Sequence, residues 1–79
     1  AQVTLPDDWA AATGGTRVLE IAADDFRHLR LRLTEQWPDL GVLLDRCAVA
    51  IDGQIYQDAF MEALEPDSEV FFMPRIEGG

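Results

Sequence analysis

Asp24-Asp25-Phe26-Arg27-His28-Leu29-Arg30-Leu31-Arg32-Leu33-Thr34-Glu35-Gln36-Trp37-Pro38 is the stretch on which the fold turns. Either aspartate can cap a helix, its side-chain oxygen accepting a hydrogen bond from an orphan backbone N–H. Phe26, Leu29, Leu33 and Trp37 recur at helical spacing and form one apolar stripe, while Arg27, Arg30 and Arg32 fall on other faces. Pro38 ends the pattern, because it pushes its predecessor out of the helical region. Before the helix, Gln2 to Leu5 and Thr16 to Ile21 alternate polar and apolar and read as two strands, with Thr13-Gly14-Gly15 as a turn between them. The segment 7–12 reads as irregular or loosely helical. Beyond the helix, residues 39–46 read as a connector tucked under the core, with room for a short helical turn. Cys47 to Ile51 reads as a buried strand, Asp52-Gly53 as a tight hairpin turn and Gln54 to Tyr56 as a short strand. After an irregular 58–64, Glu65-Pro66-Asp67-Ser68 is a turn and Glu69 to Met73 the last strand. The order strand, strand, helix, strand, strand, strand predicts an α+β domain, with one main helix packed on one face of a four- to five-stranded mixed sheet.

Bulk properties narrow the function. Seventy-nine residues make one small domain; a chain of this size buries only about 60% of its unfolded surface, too little to enclose a substrate pocket. A net charge of −9 disfavours nucleic acid and anionic membrane and suits a basic protein partner, or serves solubility alone. The single cysteine, Cys47, excludes an internal disulfide and a cysteine-based zinc site. No apolar run approaches the ~20 residues that span a bilayer, and no basic leader is evident, so a cytoplasmic protein is expected.

The last strand carries large apolar residues in succession: Val70, Phe71, Phe72 and Met73. Side chains alternate across a sheet, so whichever pair meets the helix, the other emerges on the open face. Phe71, Phe72 and Met73 are therefore candidate partner-docking residues, unless the segments 7–12 and 58–64 cover them. Pro74 has no N–H to give a ladder, which predicts that pairing ends at Met73. The sequence then closes on Gly78-Gly79, two residues that contribute nothing to a core but form a thin lead to a carboxylate.

The whole run Glu69-Val70-Phe71-Phe72-Met73-Pro74-Arg75-Ile76-Glu77-Gly78-Gly79 resembles the C-terminus of the MoaD/ThiS sulfur carriers. Val49-Ala50-Ile51-Asp52-Gly53 resembles that family's strand and turn, usually written with Asn where Asp52 stands. The helix closing on Trp37-Pro38, and Leu64 to Val70 before the last strand, resemble it too. The resemblance implies a β-grasp (ubiquitin-like) fold: a single domain over residues 1–79, with 74–79 as a flexible tail. It implies a carrier rather than an enzyme. A MoeB/ThiF-like adenylyltransferase would use ATP and Mg²⁺ to adenylate the carboxylate of Gly79. A sulfurtransferase persulfide would then convert it to a thiocarboxylate, and a sulfur-accepting synthase subunit (MoaE-like or ThiG-like) would receive the sulfur. No cofactor is expected on the chain itself. Pro74, Arg75, Ile76, Glu77 and Gly78 would form the segment threaded into the partner. Arg75 and Glu77 depart from the family's smaller, neutral residues there, which bears on partner identity. Within this chemistry the small subunit of molybdopterin synthase is the leading expectation. Carriers for thiamine, cysteine or specialised-metabolite synthesis, and a ubiquitin-like modifier conjugated through Gly79, are its rivals.

Other residues with chemical potential have plainer readings. Cys47 fits a small hydrophobe in an apolar strand. His28 is the sole histidine, with no second ligand type clustered near it. Asp24-Asp25 suits a helix start, and three helix arginines are too few for nucleic-acid binding in so acidic a chain.

Overall fold

The computed structural model describes residues 1–74. Its elements follow in the order β1 (Gln2–Thr4), a 3-10 turn (Asp7–Trp9), α1 (Ala10–Thr13), β2 (Val18–Glu20), α2 (Phe26–Gln36), α3 (Leu40–Leu44), β3 (Cys47–Ile51), β4 (Gln54–Tyr56) and β5 (Glu69–Pro74). The helix starts where the capping argument places it: Asp25 is extended at the N-cap and its carboxylate accepts the His28 N–H at 2.8 Å. Phe26, Leu29 and Leu33 are buried, and Trp37, half-buried, closes the helix with a non-helical backbone (φ −135°, ψ 89°) before Pro38. The connector does form a helical turn, α3, which buries Leu40 and Leu44.

The backbone hydrogen bond from His28 holds the Asp25 carboxyl below its ordinary value of 3.8, and the His28 ring, 2.7 Å away at Nδ1, adds to the effect. A carboxylate whose folded pKa is depressed stabilises the fold above its unfolded pKa, and that contribution disappears as pH falls through the folded value. Asp25→Ala should therefore lower the melting temperature at pH 7 and flatten the loss of stability of the wild type below about pH 4. Parallel acid limbs in melts across pH 2–7 would show that the cap contributes nothing.

Five strands form one sheet in the order β2-β1-β5-β3-β4. The first hairpin is antiparallel with Val3 opposite Leu19, and β5 enters the centre parallel to β1 and antiparallel to β3. The core lies between the sheet and α2: Val3, Ile21, Val49, Ile51, Val70 and Phe72 from the strands meet Phe26, Leu29 and Leu33. Trp9 caps this layer with its ring centroid 5.4 Å from that of Phe72, so the 7–13 segment closes the helix side rather than the open face. The segment before β5 is pinned to the start of α2 by Phe26 N–H to the Glu62 carbonyl and Leu64 N–H to the Asp24 carbonyl, each 2.9 Å.

The Asp52-Gly53 turn has positive φ at both residues, 50° and 87°, which is the geometry a two-residue hairpin requires. It also holds β5 in register. The Asp52 carboxylate accepts the Glu69 N–H and the Ser68 hydroxyl, both at 3.0 Å, and the Ser68 Oγ in turn accepts the Glu65 N–H at 2.8 Å. Ser68 is buried, and these bonds satisfy it.

Candidate functional site

The register of the five strands assembles a row of side chains that runs across the whole open face. Val18 is opposite Thr4, Thr4 opposite Phe71, Phe71 opposite Ala50 and Ala50 opposite Ile55. Val18, Phe71 and Ile55 are 53%, 43% and 62% exposed, values far above those of the core. One pair further along β5, Met73 sits opposite Ala48. Ala48 and Ala50 are buried although no helix covers them, since small side chains sink between larger neighbours on a pleated surface. At the other end of β5, Glu20, Gln2 and Glu69 form the next row and give the face an acidic margin. The result is an apolar band five strands wide, bordered by carboxylates, whose Met73 end lies where β5 leaves the sheet.

The structure separates the three residues read as docking residues. Phe71 is on the open face and Met73, half-buried, shares it. Phe72 is a correction: it points at α2, is 8% exposed, and lies against Trp9 and Phe26, with centroids 5.4 and 6.1 Å from its own. It belongs to the core and cannot touch a partner. Of the two readings of this strand, exposure or cover by loops, the structure has Phe71 exposed: the 58–64 segment packs near α2, where the Arg27 guanidinium stands 5.9 Å from the Phe60 ring centroid. Pro74 is a second correction. The strand includes it, opposite Cys47, one residue past the expected end. A proline lacks only the donor, so it can still occupy the last position of a ladder. Arg75, Ile76, Glu77, Gly78 and Gly79, the rest of the expected threading segment and its reactive end, lie outside the described residues.

Val18, Thr4, Ala50 and Ile55 were not singled out by the sequence. Only cross-strand register brings them beside Phe71, and no local signal carries that register. Cys47 is half-buried and packs against the core. The Tyr56 phenol is pushed above its ordinary value by burial, with Glu62 adding to the shift, which is the opposite of what a nucleophile requires. Among the described residues no group of three or more His, Cys, Asp or Glu is placed to hold a metal. No helix among them is long and apolar enough to cross a membrane.

One main helix, α2, grasped by a five-stranded mixed sheet, with β5 central and parallel to β1, is the ubiquitin-like β-grasp architecture. The whole chain superposes on known members of that fold. It matches a chain of the BexX/CysO complex of Amycolatopsis orientalis with a TM-score of 0.78 at 13% identity, covering 99% of this chain and 98% of that one. It matches SAMP1 of Haloferax volcanii with a TM-score of 0.70 at 21% identity, covering 99% and 97%. At these identities the likeness is one of fold. No protein-family model and no curated protein matches the sequence.

Proposed function

We propose that this chain is a ubiquitin-like sulfur carrier, charged as a thiocarboxylate at Gly79. The observation that carries the reading is the end-to-end structural likeness to CysO, a sulfur carrier, and to SAMP1, a protein of the carrier and modifier type. The apolar band supports it. A partner seated on Phe71 and Met73 lies at the root of the segment that follows Pro74, so docking aims that segment at the partner's active site. Five extended residues span at most about 17 Å, so docking and chemistry belong to one partner surface.

The chemistry follows from what a carboxylate lacks. It is a poor electrophile, and a MoeB/ThiF-like adenylyltransferase supplies a leaving group by joining it to AMP from Mg²⁺–ATP with release of pyrophosphate. The terminal sulfur of a sulfurtransferase persulfide attacks the carbonyl and AMP departs, leaving an acyl disulfide. A thiol then cleaves the sulfur–sulfur bond, forms a new disulfide and releases the thiocarboxylate. The small subunit of molybdopterin synthase is the particular role we favour, with Phe71 and Met73 docking the large subunit. The likeness to SAMP1 favours, as a second reading, a modifier whose activated Gly79 acylates target lysines. The chain itself contains no lysine, so self-conjugation through a side-chain amine is closed to it.

The test is an intact-mass spectrum after incubation with an adenylyltransferase of this type, ATP and a persulfide donor. The unreacted spectrum first checks that Gly79 ends the native chain. Exchange of one oxygen for sulfur in the C-terminal peptide supports the carrier; lysine-linked adducts without that exchange support the modifier. Phe71→Arg should weaken binding to the activating partner at least tenfold while leaving the melting temperature within about 2 °C, since the side chain leaves no cavity on an open face. Unchanged affinity by calorimetry would remove the apolar band from the proposal.

A further inference from the structure

β2 is an outer strand, and its hydrogen bonds show which of its groups are committed. Leu5 N–H donates to the Arg17 carbonyl at 2.6 Å and Ile21 N–H to the Ala1 carbonyl at 2.9 Å. With Val3 opposite Leu19, residues 17, 19 and 21 therefore form the hydrogen-bonded pairs with the 1–5 segment. The N–H and C=O groups of Val18 and Glu20 must then point the other way, out of the sheet. They present two donors and two acceptors with a repeat of about 6.8 Å, the spacing an extended chain matches. The opposite edge offers less. Ile51 and Gln54 flank the two-residue turn as a hydrogen-bonded pair, so within β4 only Ile55 points outward.

A groove runs beside the β2 edge. Leu19 of the strand and Ile21 just beyond it line one side, and Arg32, Glu35 and Gln36 from α2 the other. A strand laid on β2 would sit about 4.8 Å beyond it. On one face its alternate side chains would enter this groove over half-buried Leu19. On the other they would follow Val18 and extend the apolar row of the open face by one more strand.

We infer that the β2 edge and its groove are a second binding surface, which takes an extended apolar segment flanked by basic residues from a partner protein by strand addition. The backbone groups of Val18 and Glu20 select an extended chain, and Leu19 selects an apolar side chain. The charge selects the flanks. On the groove's helix wall Glu35 and Arg32 offset each other, and the Glu20 carboxylate belongs to the margin of the open face, so the preference comes from the chain's net charge of −9, which repels acidic segments at long range. The same charge opposes a second copy, since edge-to-edge pairing would bring two chains of −9 into contact. This surface does not depend on sulfur chemistry at Gly79, so either reading can fail without the other.

The probe is a blocked eight-residue peptide of four valines with two lysines on either side, titrated into the ¹⁵N-labelled full chain. Binding is expected to shift the Val18 and Glu20 amides and slow their exchange with solvent. N-methylating the peptide's edge-facing amides should weaken binding at least tenfold. Val18→Pro should do the same while keeping the fold, because the N–H it removes faces away from β1; an unchanged amide spectrum elsewhere checks this. Glu35→Lys should weaken this lysine-flanked peptide and favour a glutamate-flanked one instead. Shifts that map elsewhere, no shifts at millimolar peptide, or equal binding by the N-methylated peptide would each overturn the inference. So would a concentration-dependent dimer, seen by sedimentation without peptide, in which the same two amides are protected.

Discussion

Phe72→Ala should cost about 3–5 kcal/mol of folding stability, while Phe71→Ala, one residue away, should cost under about 1 kcal/mol. The two side chains have the same composition and the same strand, and differ only in the face they occupy. Phe72 lies between Trp9 and Phe26 in the layer under α2, and removing its ring leaves a cavity that two other aromatic groups cannot both fill. Phe71 faces outward beside Ala50 and Thr4, where the space left behind fills with water. Small domains hold only about 5–15 kcal/mol, and each kilocalorie moves the melting temperature of a chain this size by roughly 4–8 °C. Phe72→Ala should accordingly melt at least about 12 °C lower. Urea titrations of the two variants read the difference directly. Equal losses would mean that the alternation of β5 is misassigned, and the docking band would fall with it.

The helix and the order of the main elements along the chain were legible because each rests on local signals. Asp25, the Phe26-Leu29-Leu33 stripe and Pro38 bound one helix without reference to the rest of the chain, and Asp52-Gly53 marks its own turn. The phase of β5 was not legible. Val70-Phe71-Phe72-Met73 is apolar throughout, so alternation gives two faces but no means of telling them apart. The phase is set from a distance: Asp52 holds the Glu69 N–H and Ser68, and Trp9 supplies the wall that makes the inner face complete. Nothing in the sequence around Trp9 announces that a loop residue belongs to the core. The docking band was half legible for the same reason. Phe71 and Met73 lie in one segment and were read from it, whereas Val18, Thr4, Ala50 and Ile55 come from the four other strands and join them only through register. Pro74 was placed outside the strand on a sound rule applied one residue early, because a terminal ladder position can do without a donor.

Deleting Gly78 and Gly79 should abolish sulfur loading altogether while leaving the melting temperature within about 1 °C of the wild type. All the buried core residues named above lie at or before Phe72, so no packing term in that core changes. The loss should also differ in kind from that of Phe71→Arg. The deletion leaves the docking band whole, so the shortened chain should still bind the adenylyltransferase and should compete with the intact chain for it. Phe71→Arg keeps the glycines but docks poorly, so its loading should recover when the partner's concentration is raised. A third variant, Gly78→Val, separates length from shape. It retains the terminal carboxylate and adds an isopropyl group next to it, which would block a channel sized to a side-chain-free backbone. Its loading should be close to that of the deletion, at unchanged stability. Full loading of Gly78→Val would show that the partner reads the carboxylate alone. Retained biological activity in the deletion, with stability intact, would show that the β-grasp domain acts without its glycines and that its function lies in the surfaces of the sheet.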